Sequence, residues 1–138
     1  MNPVAIIDWR NYLKDGEKYL QTALGAAKRR SEVFTPEILY NITGMAIEKL
    51  IMGFLMNRGD LAENHTMGDL LHALERHIDV PTNLTQDLLY IDSFQEICDL
   101  DTYNRRPPTP EEIKRILTIG QEIETFITTN LQQCQPAA

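Results

Sequence analysis

Three histidines, two cysteines and a pair of adjacent arginines in a proline-rich stretch are the residues of this 138-residue chain whose types could do chemistry. His72, Glu75 and His77 invite a zinc reading, because ligands at i and i+4 of a helix share a face. These histidines are five apart, so on a helix they diverge by about 140°. The plainer reading is a polar helix face, with His65 just ahead of it making a loop or capping contact. No cysteine pair has metal-ligand spacing, and neither a metal nor another cofactor is expected. Nucleophilic catalysis needs a base beside the activated side chain, and neither Cys98 nor Cys134 has a histidine beside it in sequence. Cys98 falls on an apolar stripe and reads as a small buried hydrophobe.

The stretch from Asp101 to Pro110, Asp-Thr-Tyr-Asn-Arg-Arg-Pro-Pro-Thr-Pro, is the remaining candidate. Arg105 and Arg106 place two guanidiniums beside the Tyr103 phenol, on a proline-stiffened connector leading into a helix. That combination suits an anion held by charge-assisted hydrogen bonds and the helix dipole, with Asp101 and Asn104 orienting the basic groups. The competing reading has the arginines paired with Asp99, Asp101 or acids of another helix, where they fix the connector. Glycine-rich phosphate cradles are absent from the sequence.

The elements that must position these residues are all helical. Trp9, Tyr12, Leu13, Gly16, Leu20, Ala23, Leu24 and Ala27 form a stripe of helical period that ends in Lys28, Arg29 and Arg30, cations that complement a helix C-terminus. Thr35, Pro36 and Glu37 are a helix start, and the helix that follows to about Asn57 is apolar around most of its circumference, as a central helix would be. Arg58, Gly59 and Asp60 read as its terminating turn. A third, shorter helix carries Leu70, Leu71, Leu74 and Ile78 up to Pro81. A fourth, from about Leu84, carries Leu88, Ile91, Phe94 and Cys98 and fades near Asp99 to Tyr103. Thr109, Pro110 and Glu112 form a capping box for the last helix, which carries Ile113, Ile116, Leu117, Ile123 and Ile127. Residues 132–138 read as a frayed tail, and residues 1–138 as one all-α domain, a five-helix up-and-down bundle.

Composition narrows the function classes. Apolar residues make up 43% and charged residues 24%, which is ordinary globular composition with no case for disorder. Thirteen basic against twenty acidic residues give a formal charge of −7, so the surface repels polyanions and any nucleic-acid contact must be local. Met1 to Ile7 lacks a signal peptide's basic start, and no segment reads as a run of about 18 apolar residues, so the expectation is a cytoplasmic chain with no membrane partner. The sequons at Asn41, Asn64 and Asn83 carry weight only in a secreted chain.

Three segments give the chain a resemblance to the HEPN domains, small helical bundles linked to nucleotide or RNA binding. Ala26 to Arg30 closes a long first helix. Ala46-Ile-Glu-Lys-Leu50 looks like the family's Ala-x-Glu-x-x-Leu segment, followed by a polar turn and by His65-Thr66 opening the third helix. Tyr103-Asn-Arg-Arg-Pro107 is similar to the family's Tyr-x-x-Arg-Tyr-Pro pattern, with Arg106 where tyrosine is common. The resemblance implies a five-helix bundle, a homodimer, and a cleft near the fourth helix and the connector. Members act as metal-independent endoribonucleases, as toxins held by a partner, or as the substrate-binding companion of a small nucleotidyltransferase.

The ribonuclease members carry arginine, four to six residues and histidine near the start of the last helix. Here the positions following Arg105 are Pro110, Glu111 and Glu112, and those following Arg106 are Glu111, Glu112 and Ile113. None is histidine. Arg58 and His65 have the spacing but lie between the second and third helices. The expectation is therefore a non-catalytic module that binds a nucleotide, RNA or partner protein through Asp101, Tyr103, Asn104, Arg105 and Arg106. The alternatives are a ribonuclease drawing its histidine from His65 or His72, and a structural subunit of a nucleotidyltransferase.

Overall fold

The computed structural model describes residues 8–29, 32–95 and 107–133. Five α-helices are described: α1 (Trp9–Arg29), α2 (Pro36–Asn57), α3 (Met67–Glu75), α4 (Thr82–Asp92) and α5 (Pro110–Gln133), with a 3-10 turn at Ser93–Gln95 after α4. The described residues contain no strand. Both helix starts that the sequence marks with Thr-Pro are built as expected. Thr35 Oγ1 accepts from the Ile38 amide at 3.3 Å. Thr109 and Glu112 cap one another reciprocally, the Thr109 amide donating to Glu112 Oε1 at 2.9 Å and the Glu112 amide to Thr109 Oγ1 at 3.1 Å.

α2 is the central helix. It packs on α1, α3 and α5, and Ala46, Ile47, Leu50, Ile51, Phe54 and Leu55 are each at most 1% exposed. It alone among the described helices has the length and hydropathy of a membrane span, but 61% of that window is buried, so its apolar circumference faces the other helices. The expectation that no segment approaches a span fails at α2, because a helix covered on several sides needs the same composition as one in lipid.

Glycines bring α1 and α2 together. A Cβ on Gly16 would lie 2.8 Å from Leu50 Cγ and 3.0 Å from the Ala46 carbonyl oxygen, and one on Gly53 would lie 2.8 Å from Leu13 Cγ and 3.1 Å from the Leu13 backbone nitrogen. The backbones approach too closely at these two points for any side chain.

The boundaries of α3 and α4 differ from the sequence expectation. α3 ends at Glu75 instead of continuing toward Pro81, because the Arg76 and His77 side chains both turn to Asp60, beyond the end of α2. α4 begins at Thr82 and gives way at Ser93 to the 3-10 turn, where Phe94 packs its ring against Tyr40 and Tyr90, with centroids 5.6 and 5.2 Å apart.

Candidate functional site

Asp101, Tyr103, Asn104, Arg105 and Arg106 lie outside the described residues, as do Cys98 and Cys134. The described structure bounds the connector on both sides. At its end stand buried Pro108 and the Thr109 cap of α5. Seven residues before it in sequence, Phe94 joins a run of contacts: the Arg115 guanidinium from α5 lies 3.8 Å from the Tyr90 ring centroid, Tyr90 meets Phe94, and Phe94 meets Tyr40 of α2.

Tyr40 is also a wall of a pocket of about 300 Å³ between α2, α3 and α4, whose polar lining groups include Asn41, Glu48, His65 and Asp92. The register set by the α2 cap puts Asn41, Met45 and Glu48 on one side of that helix, at spacings of four and three. The Tyr40 hydroxyl donates to the Ile91 carbonyl at 2.7 Å, tying α2 to α4 beneath the pocket. His65 Nδ1 sits 2.5 Å from Glu48 Oε1. Asp92, the last residue of α4, accepts the Met67 amide on Oδ1 and the Gly68 amide on Oδ2, both at 2.9 Å. With Thr66 Oγ1 accepting from the Asp69 amide at 3.1 Å, the first three amides of α3 are satisfied. The α3 N-terminus is thus occupied by the chain's own carboxylate.

Thr66, not His65, caps α3, and His65 reaches back to Glu48. His72 is exposed on the outer face of α3, while His77, two residues beyond that helix, places Nε2 2.8 Å from Asp60 Oδ2. Among the described residues no group of three or more His, Cys, Asp or Glu could hold a metal ion. Arg58 and His65 do not converge. The Arg58 guanidinium lies over the Phe54 ring at 4.7 Å and reaches the Asn130 carbonyl at 3.5 Å. His65 is held at Glu48, ten residues or about 15 Å back along α2.

Arg58, Gly59 and Asp60 form the turn that ends α2, with Gly59 at φ 74. Asp60 then becomes a hub, accepting from Arg76 Nη2 at 2.9 Å and from the Leu61 amide at 2.8 Å as well as contacting His77. Burial alone would raise the Asp60 carboxyl, but hydrogen bonds from His77, Arg76 and Leu61 outweigh it and hold the group below its ordinary range. A depressed folded-state value means that the contribution is complete at neutral pH and is lost as pH falls below about 4. Asp60→Asn is expected to cost about 1 kcal/mol in urea unfolding at pH 7 and to flatten the fall in stability between about pH 4 and pH 2. An unchanged acid limb would separate Asp60 from the acid sensitivity of the fold.

A wider groove of about 650 Å³ between α4 and α5 is lined by Leu84, Phe126 and Glu122, among others. Burial, and then the neighbouring Asp87 carboxylate, raise Glu122 above its ordinary value. This groove brings together threonines and amides around one carboxyl, with no paired histidine.

The arrangement is an all-α bundle with a pocket of mixed chemistry at the junction of three helices. No protein-family model matches the sequence, and a search of curated proteins returns no match. Two solved structures share the fold. TT1696 from Thermus thermophilus is 22% identical, with a TM-score of 0.73 over 90% of this chain and 98% of its own. ST0689, an archaeal HEPN homologue, is 16% identical, with a TM-score of 0.68 over 89% of this chain and 97% of its own. The fold of the chain is HEPN-like.

Proposed function

We propose that this chain is a non-catalytic HEPN-like module that binds a nucleotide or RNA, with Arg105 and Arg106 of the connector holding the phosphates. The observation that supports it is the pocket at the end of α4, since Ile91 and Asp92 line it and the connector begins nine residues after Asp92 in the sequence. On a chain of charge −7, a local pair of guanidiniums is the feature that would attract a polyanion. Replacing both arginines with alanine is expected to weaken binding of ribonucleotides and short RNA by about tenfold or more and to reduce its salt dependence. Unchanged affinity in fluorescence or calorimetric titration would sink this reading.

A second reading, a metal-independent endoribonuclease, draws on the Glu48 and His65 pair. A carboxylate that orients an imidazole at the edge of a pocket is an arrangement found in general-base sites. Its test is cleavage of RNA under chelation that disappears in His65→Ala. Cleavage that survives that replacement, or none in the native chain, rules it out.

A further inference from the structure

We infer that the pocket between α2, α3 and α4 receives the amino-bearing edge of a nucleobase, a cytosine-type edge in preference to uracil. The inference rests on reading the ligand as a nucleotide or RNA, and it concerns the base, where the connector arginines concern the phosphates.

Hydrogen-bonding capacity decides the chemistry. The Tyr40 hydroxyl is engaged by the Ile91 carbonyl, so Tyr40 contributes wall rather than a donor. Asp92 spends one lone pair of each oxygen on the α3 amides and keeps the others. Glu48 uses Oε1 on His65 Nδ1, leaving Oε2 to accept. When the Nδ1 proton faces Glu48, His65 Nε2 is a further acceptor. Among the described residues lining the pocket there is no lysine or arginine, and Asn41 supplies the one side-chain amide. A site this rich in acceptors repels phosphate and selects a ligand edge that carries N–H donors.

Size and walls select the rest. About 300 Å³ is at the lower end of ligand pockets and admits a pyrimidine ring. Met67 and Ile91 supply apolar surface, and Met45, 45% exposed at the rim, offers a polarisable thioether to a ring. The carboxylates of the lining keep the phosphates outside. A carboxylate accepts from the cytosine N4 amino group, whereas uracil presents a carbonyl oxygen there and meets charge repulsion.

The test is titration of the full chain with CMP, UMP, cytidine and uridine, read by calorimetry and by amide shifts of Gly44 and Gly68, which adjoin the pocket. CMP is expected to bind about tenfold or more tighter than UMP. Glu48→Gln should abolish that preference, since its amide can donate to uracil. Met45→Ala, at an exposed position that leaves the core intact, should weaken both nucleosides by removing the thioether from the ring. Equal affinity for CMP and UMP, or a preference that survives Glu48→Gln, overturns the pocket while leaving an arginine-dependent phosphate site standing. A cytidine preference with CMP binding indifferent to Arg105 and Arg106 does the reverse, and no binding of any probe overturns both. Oligocytidylate and oligouridylate distinguish the source: a preference stronger in the oligomers points to RNA, one equal in the mononucleotides points to a free nucleotide, and either supports the pocket.

Discussion

Gly16→Ala is expected to destabilise the fold by about 2 kcal/mol in urea or thermal unfolding, a large effect for one added methyl. The new Cβ would sit 2.8 Å from Leu50 Cγ and 3.0 Å from the Ala46 carbonyl oxygen. The leucine could rotate in isolation, but Leu50 is 1% exposed and has nowhere to go, and the carbonyl belongs to the α2 backbone. The helices must therefore separate, loosening contacts along their shared length. Alanine's better helix propensity returns roughly 1 kcal/mol of the gross cost. Gly53→Ala should behave alike, since its Cβ meets Leu13 at both side chain and backbone. The double variant should cost less than the sum, because the separation forced at one crossing point already relieves the other. Strict additivity would mean that the two sites relax independently and would defeat the idea of one rigid crossing.

These contacts explain how much of the fold can be read from the residues. Helix starts are legible because their causes are local: a threonine, the following proline and an acid in the first turn fix α2 and α5 within four residues. The central place of α2 is legible because burial on several sides leaves a compositional trace. The end of α3 is not, since it depends on Asp60, sixteen residues before Arg76, drawing two side chains back across a turn. The pocket is only half legible. The segments holding Glu48 and His65 stand out through their likeness to a family pattern, but nothing in their seventeen-residue separation says that they touch. Asp92 carries no signal, because an acid at the C-terminal end of a helix is unfavourable on local grounds and makes sense only when another helix begins beside it.

That placement gives Asp92 an outsized role, and Asp92→Ala is expected to cost about 3 kcal/mol. Its two oxygens accept from Met67 and Gly68 in charge-assisted bonds, and removing them leaves two α3 amides without a protein partner. Met67 is 7% exposed, so water can replace only part of the loss. Asp92→Asn keeps one acceptor but presents an amide to the second N–H, and should cost about 2 kcal/mol. The damage should be local before it is global: hydrogen exchange at Met67 and Gly68 should accelerate more than exchange within α2, whose own ladder is untouched. A loss under about 0.5 kcal/mol, or uniform acceleration, would show that Thr66 alone holds the helix start. Because the same carboxylate forms a wall of the pocket and fastens α3 to α4, a change that loosens the site should loosen the bundle at this corner too. Glu48, free of any helix terminus, can be altered without that effect, which makes its replacement the cleaner probe of what the pocket binds.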